Sequence, residues 1–105
     1  MAIVATFSVT PVHNGDLTEE IAAAISALDD YDVSCETNPM GTVIEAEELS
    51  ELFAGVQAAH EAIDADRVRT ALRIDDDCDR EQNAAERVAA VEDALGRTST
   101  REPPA

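Results

Sequence analysis

Residues 2–11, AIVATFSVTP, carry an apolar side chain at every odd position, with hydroxyls between them from Thr6 on. A period of two fits an extended strand with one dry face and one wet face. Ile3, Ala5, Phe7 and Val9 should therefore face a core, with Thr6, Ser8 and Thr10 on the far side. Pro11 and the His-Asn-Gly that follows Val12 end the run. Such a strand needs pairing partners and a layer to cover its dry face. The remaining sequence has to supply both.

It does so in a definite order. Asp16 followed by Glu19 reads as a capping-box-like helix start, and Ile21, Ala24, Ile25 and Leu28 form an i, i+3, i+4, i+7 stripe. That spacing predicts a helix over residues 17–29. Residues 31–37 alternate again, with Tyr31, Val33 and Cys35 inward and Asp32, Ser34 and Glu36 outward. Asn38-Pro39-Met40-Gly41 fits a type I turn, with Asn at the first position, proline presetting φ at the second and glycine at the fourth. The next strand, 42–47, points Ile44 and Ala46 inward and Val43, Glu45 and Glu47 outward. Leu49, Leu52, Phe53, Val56, His60 and Ile63 mark a second amphipathic helix over 48–64. Residues 67–75 form a fourth strand, with Val68, Leu72 and Ile74 inward and Arg69, Arg73 and Asp75 outward. Asn83 with Glu86 caps a third helix whose stripe is Ala84, Val88, Val91 and Leu95, stopped by Gly96. Residues 97–105 have no apolar period, which predicts one domain over 1–96 and a flexible tail. There is no internal repeat.

The order β-α-β-β-α-β, plus a C-terminal helix, is the ferredoxin-like split βαβ pattern of the α+β class. Right-handed crossovers then require an antiparallel four-stranded sheet in order 4-1-3-2, with two helices on one face. The other face must meet water, a third helix, another subunit or a ligand. Its residues are sorted by type, with hydroxyls on the first strand, carboxylates on the middle strands and guanidiniums on the fourth. Arg69 and Arg73 could pair with Glu36 or Glu45 across a subunit interface, or the same carboxylates could serve a ligand.

Charge narrows the choice of partners. The chain has 105 residues, with 23 Asp and Glu against 7 basic residues, and every basic residue is Arg. A net charge of −16 disfavours nucleic acid and anionic membranes, both of which are bound through clustered positive charge. It fits a halophile-like acidic surface, whose self-repulsion salt screens, and equally a field that concentrates cations. At 45% hydrophobic the chain can bury a core, but with 3 aromatic residues that core must be aliphatic. No run approaches the roughly 18–20 apolar residues of a membrane span. The start has no basic segment before an apolar one, so the expected compartment is the cytoplasm. Cys35 and Cys78 lack CxxC spacing and read as small apolar residues.

Motifs for catalysis are scarce. Asp75–Glu86 has acids at positions 1, 3, 5 and 12 of a calcium loop. Arg80 occupies position 6, where the turn needs glycine, and a strand precedes it where a helix is required. It reads as an acidic strand-to-helix connection, with weak divalent-cation binding left open. His60 lies on an apolar stripe and suits a core-edge residue with one satisfied nitrogen, while His13 has no evident partner. Ser8 lacks both a nucleophile elbow and a base, and no phosphate-loop glycine pattern occurs. Nothing among these residues argues strongly for an enzyme or a resident cofactor.

The segments NPMGTVIEAE, ELFAGVQAAHEAI and DRVRTALRIDD, with FSVTP before a glycine-containing loop, resemble the small thiamine-binding protein family. The resemblance spans about residues 2–95. It departs from the family after the IDD motif, where a basic residue or two usually follows and Asp77 and Cys78 stand here. It implies a ferredoxin-like domain that forms homodimers and homotetramers and binds thiamine or its hydroxymethylpyrimidine moiety near subunit boundaries, in salvage or transport. By matched positions it implies ligand contacts from Thr6, Ser8, Asn38, Thr42 and Glu45, with Glu45 as acceptor or counter-charge and Met40 against a ring face. The alternatives left open are a structural or regulatory homo-oligomer without a small-molecule ligand and a weak divalent-cation-binding module. Strict alternation puts Thr42 and Glu45 on opposite faces, so joint service in one site needs a distorted turn or Thr42 acting from the rim.

Overall fold

The computed structural model describes residues 3–104; Met1 and Ala2, at the start of the predicted first strand, and Ala105, at the end of the tail, lie outside them. Strand β1 (Ile3–Pro11) carries the alternation into the structure: Ile3, Ala5, Phe7, Val9 and Pro11 are buried and Thr6, Ser8 and Thr10 are exposed. Helix α1 (Thr18–Ala27) continues into a single 3₁₀ turn at Leu28–Asp30. Strands β2 (Val33–Asn38) and β3 (Gly41–Ala46) form a hairpin, helix α2 (Leu49–Glu61) follows, and strand β4 (Val68–Asp75) precedes helix α3 (Ala84–Leu95).

The sheet order is β2-β3-β1-β4, the expected 4-1-3-2 read from the other edge, and all three pairings are antiparallel. One face packs on α1 and α2. Ala5, Phe7, Val9 and Ile44 from the sheet meet Ala24, Leu28, Leu52, Val56, Ala59 and Ile63 from the helical layer. Burying each large aliphatic side chain contributes about 1.5–3 kcal/mol, so this single layer of contacts is the main source of stability.

The local signals hold with informative exceptions. At α3 the capping box forms in full, with Asn83 Oδ1 accepting from Glu86 N–H at 2.8 Å and Gly96 closing the helix at φ 75°. At α1 it does not. Asp16 Oδ1 instead accepts from the Thr18 backbone N–H and hydroxyl, at 2.9 and 2.5 Å, so this carboxylate turns the chain before the helix begins. Both hydrogen bonds, the hydroxyl's first, hold the Asp16 carboxyl below its usual range. Cys35 sits opposite Ile44 on the helix side, yet it is exposed because β2 is an edge strand that the helical layer covers only at its Val33 end. Phe53 and Leu49 belong to the α2 stripe but lie at its margin, 50% and 40% exposed.

Helix α3 is the outlier. None of its residues is buried, and Val88, Val91 and Leu95 are 49%, 55% and 49% exposed. Its first turn is pinned to the uncovered sheet face by Ala84 N–H, which donates to Glu45 Oε1, and by Arg87, which pairs with Asp75 at 2.7 Å. Among the described residues, nothing buries the apolar stripe beyond that turn. No helix among the described residues is long and apolar enough to cross a membrane.

Candidate functional site

Because side chains alternate along each strand, the registers lay out the uncovered face as rows. Ser34, Glu45, Val4 and Asp75 share one row, and Glu36, Val43, Thr6 and Arg73 the next. Ser8 lies opposite Ala71 and Thr10 opposite Arg69. The β2–β3 half is therefore acidic, and the β1–β4 half pairs hydroxyls with arginines.

A cavity of about 280 Å³ opens where this face meets the hairpin. Thr6 and Ser8 from β1, Asn38 from the end of β2, Thr42 from β3 and Arg73 from β4 all line it, with Met40 and Gly41 at its turn. The two-residue Pro39-Met40 connection pairs Asn38 directly with Gly41. Gly41 has φ 152°, and a Cβ there would lie 3.2 Å from the Phe7 carbonyl oxygen. Only glycine lets the hairpin approach β1 this closely without strain. Met40 is 93% exposed and projects from the rim.

Thr42 is the buried polar residue of the sheet, 4% exposed, and its hydroxyl lies 3.5 Å from the Thr37 hydroxyl. It alternates with Ile44 and Ala46 and so belongs to the helix side. It also borders a second cavity, about 210 Å³, between the hairpin and Ile21 and Ile25 of α1. The hairpin end thus has a cleft on each side, joined through Phe7, Ser8, Asn38 and Thr42.

Glu45 stands apart from the other four. Its Oε1 accepts from Ala84 N–H and its Oε2 lies 3.5 Å from the Ser34 hydroxyl. It borders a different hollow, with Ser34 and Asn83, at the α3 end of the face. Carboxylates are favoured at a helix N-terminus, where backbone N–H groups point outward, so Glu45 anchors α3. Sequence reasoning missed this link because nothing in the local pattern says which strand residue meets a helix 39 positions later. It also left out Arg73, whose place in the cavity follows from its register opposite Thr6.

The histidines lie elsewhere. His60 Nδ1 is 2.5 Å from the Thr70 hydroxyl, the single satisfied nitrogen expected of a core-edge residue. His13, read from sequence as lacking a partner, has two: Asn14 O at 2.8 Å from Nδ1 and Glu20 Oε1 at 3.0 Å from Nε2. Glu20 is seven residues away and reaches His13 only because the loop folds back on α1. The Asn14 carbonyl first, then the Glu20 carboxylate, raise the His13 pKa, because both accept from a ring that keeps both protons. Within the acidic connection, Asp77 Oδ1 accepts from Asp79 N–H at 3.1 Å. Among the described residues, no three His, Cys, Asp or Glu side chains are placed to hold a metal ion.

By its architecture the molecule is a ferredoxin-like α+β domain with a small polar cleft beside an uncovered sheet face. Residues 5–92 match the profile of the family described as thiamine-binding protein, and the chain belongs to that family. It is 42% identical over 82 residues to a UPF0045 protein of Methanothermobacter thermautotrophicus, covering 75% of this chain and 83% of that one. The crystal structure of hypothetical protein MJ1052 from Methanocaldococcus jannaschii superposes with a TM-score of 0.80 at 33% identity, covering 86% of this chain and 95% of the other. A proposed thiamine biosynthesis/salvage protein from Thermotoga maritima shares the fold at a TM-score of 0.73 and 23% identity, over 87% and 99% of the two chains.

Proposed function

We propose that this protein binds thiamine or its hydroxymethylpyrimidine precursor without transforming it, in the cleft at the hairpin end of the uncovered face. The observation that carries this reading is the convergence of Thr6, Ser8, Asn38 and Thr42 on one cavity in a chain of the thiamine-binding family. Three hydroxyls and a carboxamide offer donors and acceptors matched to an aminopyrimidine edge. The exposed thioether of Met40 supplies an apolar surface for a ring face. The volume of about 280 Å³ falls just below the range of roughly 300–1,000 Å³ for ligand sites, which suits one heteroaromatic ring better than a larger molecule. Glu45 adds negative potential from the other half of the face, and its direct contact with a ligand would require the first turn of α3 to move. A part in thiamine salvage or transport, in the cytoplasm, is consistent with such a carrier.

Calorimetric titration with thiamine and hydroxymethylpyrimidine, in the high salt that an acidic surface calls for, tests the reading. Saturable heat, lost on Ser8→Ala or Asn38→Ala, is the expected result. No heat and no thermal shift at millimolar ligand would sink it.

Self-association as a homodimer or homotetramer is the second part of the proposal, and the exposed stripe on α3 supports it. A helix of 12 residues is marginal alone in water, so Val88, Val91 and Leu95 call for a partner. If the chain were only a structural oligomer, Val91→Asp would reduce its mass in light scattering while every ligand titration stayed flat. A binding protein gives heat in the first experiment whatever the second shows.

A further inference from the structure

The cleft's least expected residue is Arg73. The chain has 23 carboxylates against 7 arginines, yet among the described residues only Arg87 is ion-paired with an acid. Arg73 has none. Among the described residues neither it nor Arg69 makes an ion pair. The acid two positions along the same face of β4, Asp75, is already held by Arg87 at 2.7 Å. Glu36, in the same row, is three strands away, about 14 Å at the usual strand spacing.

The neighbours of Arg73 also suit an anion. Thr6 lies opposite Arg73, Ser8 opposite Ala71 and Thr10 opposite Arg69, so a ladder of hydroxyls faces two guanidiniums on one side of the sheet. Between the arginines the side chain is only that of Ala71, which leaves a notch beside Ser8 where both could reach one group. Hydroxyls and guanidiniums donate to phosphoryl oxygens, and an arginine fork binds them in pairs.

We propose that this half of the cleft is a phosphoryl-binding subsite, with Arg73 as its anchor and Arg69 in support, and that the protein selects a phosphorylated pyrimidine or thiamine phosphate over the free compounds. The proposal rests on the binding reading above and deepens it. The protein's net negative charge opposes anions at long range, but at physiological salt that field is screened within about 8 Å, and the adjacent guanidiniums dominate at the site.

Two titrations in chloride buffer test it separately from the parent reading. In the first, hydroxymethylpyrimidine and thiamine are each compared with their monophosphates by calorimetry. The phosphates should bind at least about tenfold more tightly, and Arg73→Gln should bring the ratio to within about threefold, with Arg73→Lys between the two. Equal affinity for free and phosphorylated forms, or a ratio that Arg73→Gln leaves unchanged, would overturn the subsite while leaving the binding function standing. In the second, inorganic pyrophosphate alone should raise the melting temperature of the natural protein and not that of Arg73→Gln. Stabilisation by pyrophosphate without binding of any pyrimidine compound would support the anion site and refute the thiamine reading. Loss of oligomer mass on Arg73→Gln or Arg69→Gln, with no response to pyrophosphate in the natural protein, would show these arginines to be interface residues and overturn the proposal.

Discussion

Phe7 and Ser8 are adjacent in sequence and lie on opposite sides of one sheet. Phe7 is 2% exposed and surrounded by the aliphatic layer from α1 and α2, whereas Ser8 is open to solvent beside Ala71 and the hairpin cleft. The same contrast repeats along β3 and β4. Ile44 is fully buried and its neighbour Glu45 reaches for α3; Leu72 packs inward and Arg73 lines the cavity. The difference is one of specification. The helix side is packed by its own chain apart from a small cavity at the hairpin end, while the uncovered side has the larger cleft, an arginine without a carboxylate and a helix with an apolar stripe in water. Stability resides on the first side and the proposed recognition on the second.

Substitutions can break that contrast by degrees. Leu52→Ala, at the centre of the covered side, should have the largest effect, about 2–5 kcal/mol in equilibrium unfolding, with the cleft residues untouched in the surviving folded fraction. Gly41→Ala joins the two regions, since it forces a Cβ toward the Phe7 carbonyl at a positive φ. A loss of about 1–3 kcal/mol is expected, together with weaker ligand binding because the hairpin must move away from β1. Glu45→Ala acts on the uncovered side alone. It should cost about 1–2 kcal/mol and speed hydrogen exchange in the first turn of α3, without loosening the sheet. If exchange rises equally in β1 and β3, the two sides are not separable in this way.

The smallest effect is in pH. The His13 pKa is raised in the folded chain, so its stabilising contribution is complete below the unfolded value near 6.5 and fades as pH rises through the folded value. His13→Gln should flatten the melting temperature across that window. A slope that persists would assign the titration to another group. Asp16 works in the opposite sense: its pKa is lowered, so what it adds is present at neutral pH and is lost as pH falls through the folded value.

Much of the covered side could be read directly from the chain. Period-two strands, period-3.6 helices and the Asn83–Glu86 box gave element order, sheet order and the inward residues, because those follow from local rules that tertiary packing reinforces. Two kinds of information were not local. Cys35 faces the helix side as its alternation predicts, but its exposure depends on β2 being an edge that the helical layer covers only at its Val33 end. The stripe Ala84, Val88, Val91 and Leu95 identified a helix correctly and left unsaid that nothing in the same chain covers it. For the site, motif positions brought out Thr6, Ser8, Asn38 and Thr42, which the hairpin and register gather at one cavity. The bonds from Ala84 to Glu45 and from Arg87 to Asp75 join residues from separate elements, and no periodicity encodes such pairs.

The most direct test of this division between the two sides is an amide chemical-shift map recorded as hydroxymethylpyrimidine, free and phosphorylated, is added to the natural protein. Perturbations gathered at Thr6, Ser8, Asn38, Gly41 and Thr42, extending to Arg73 with the phosphate, are the predicted result. Shifts concentrated on α1 and α2, or no shifts at millimolar ligand, would contradict it.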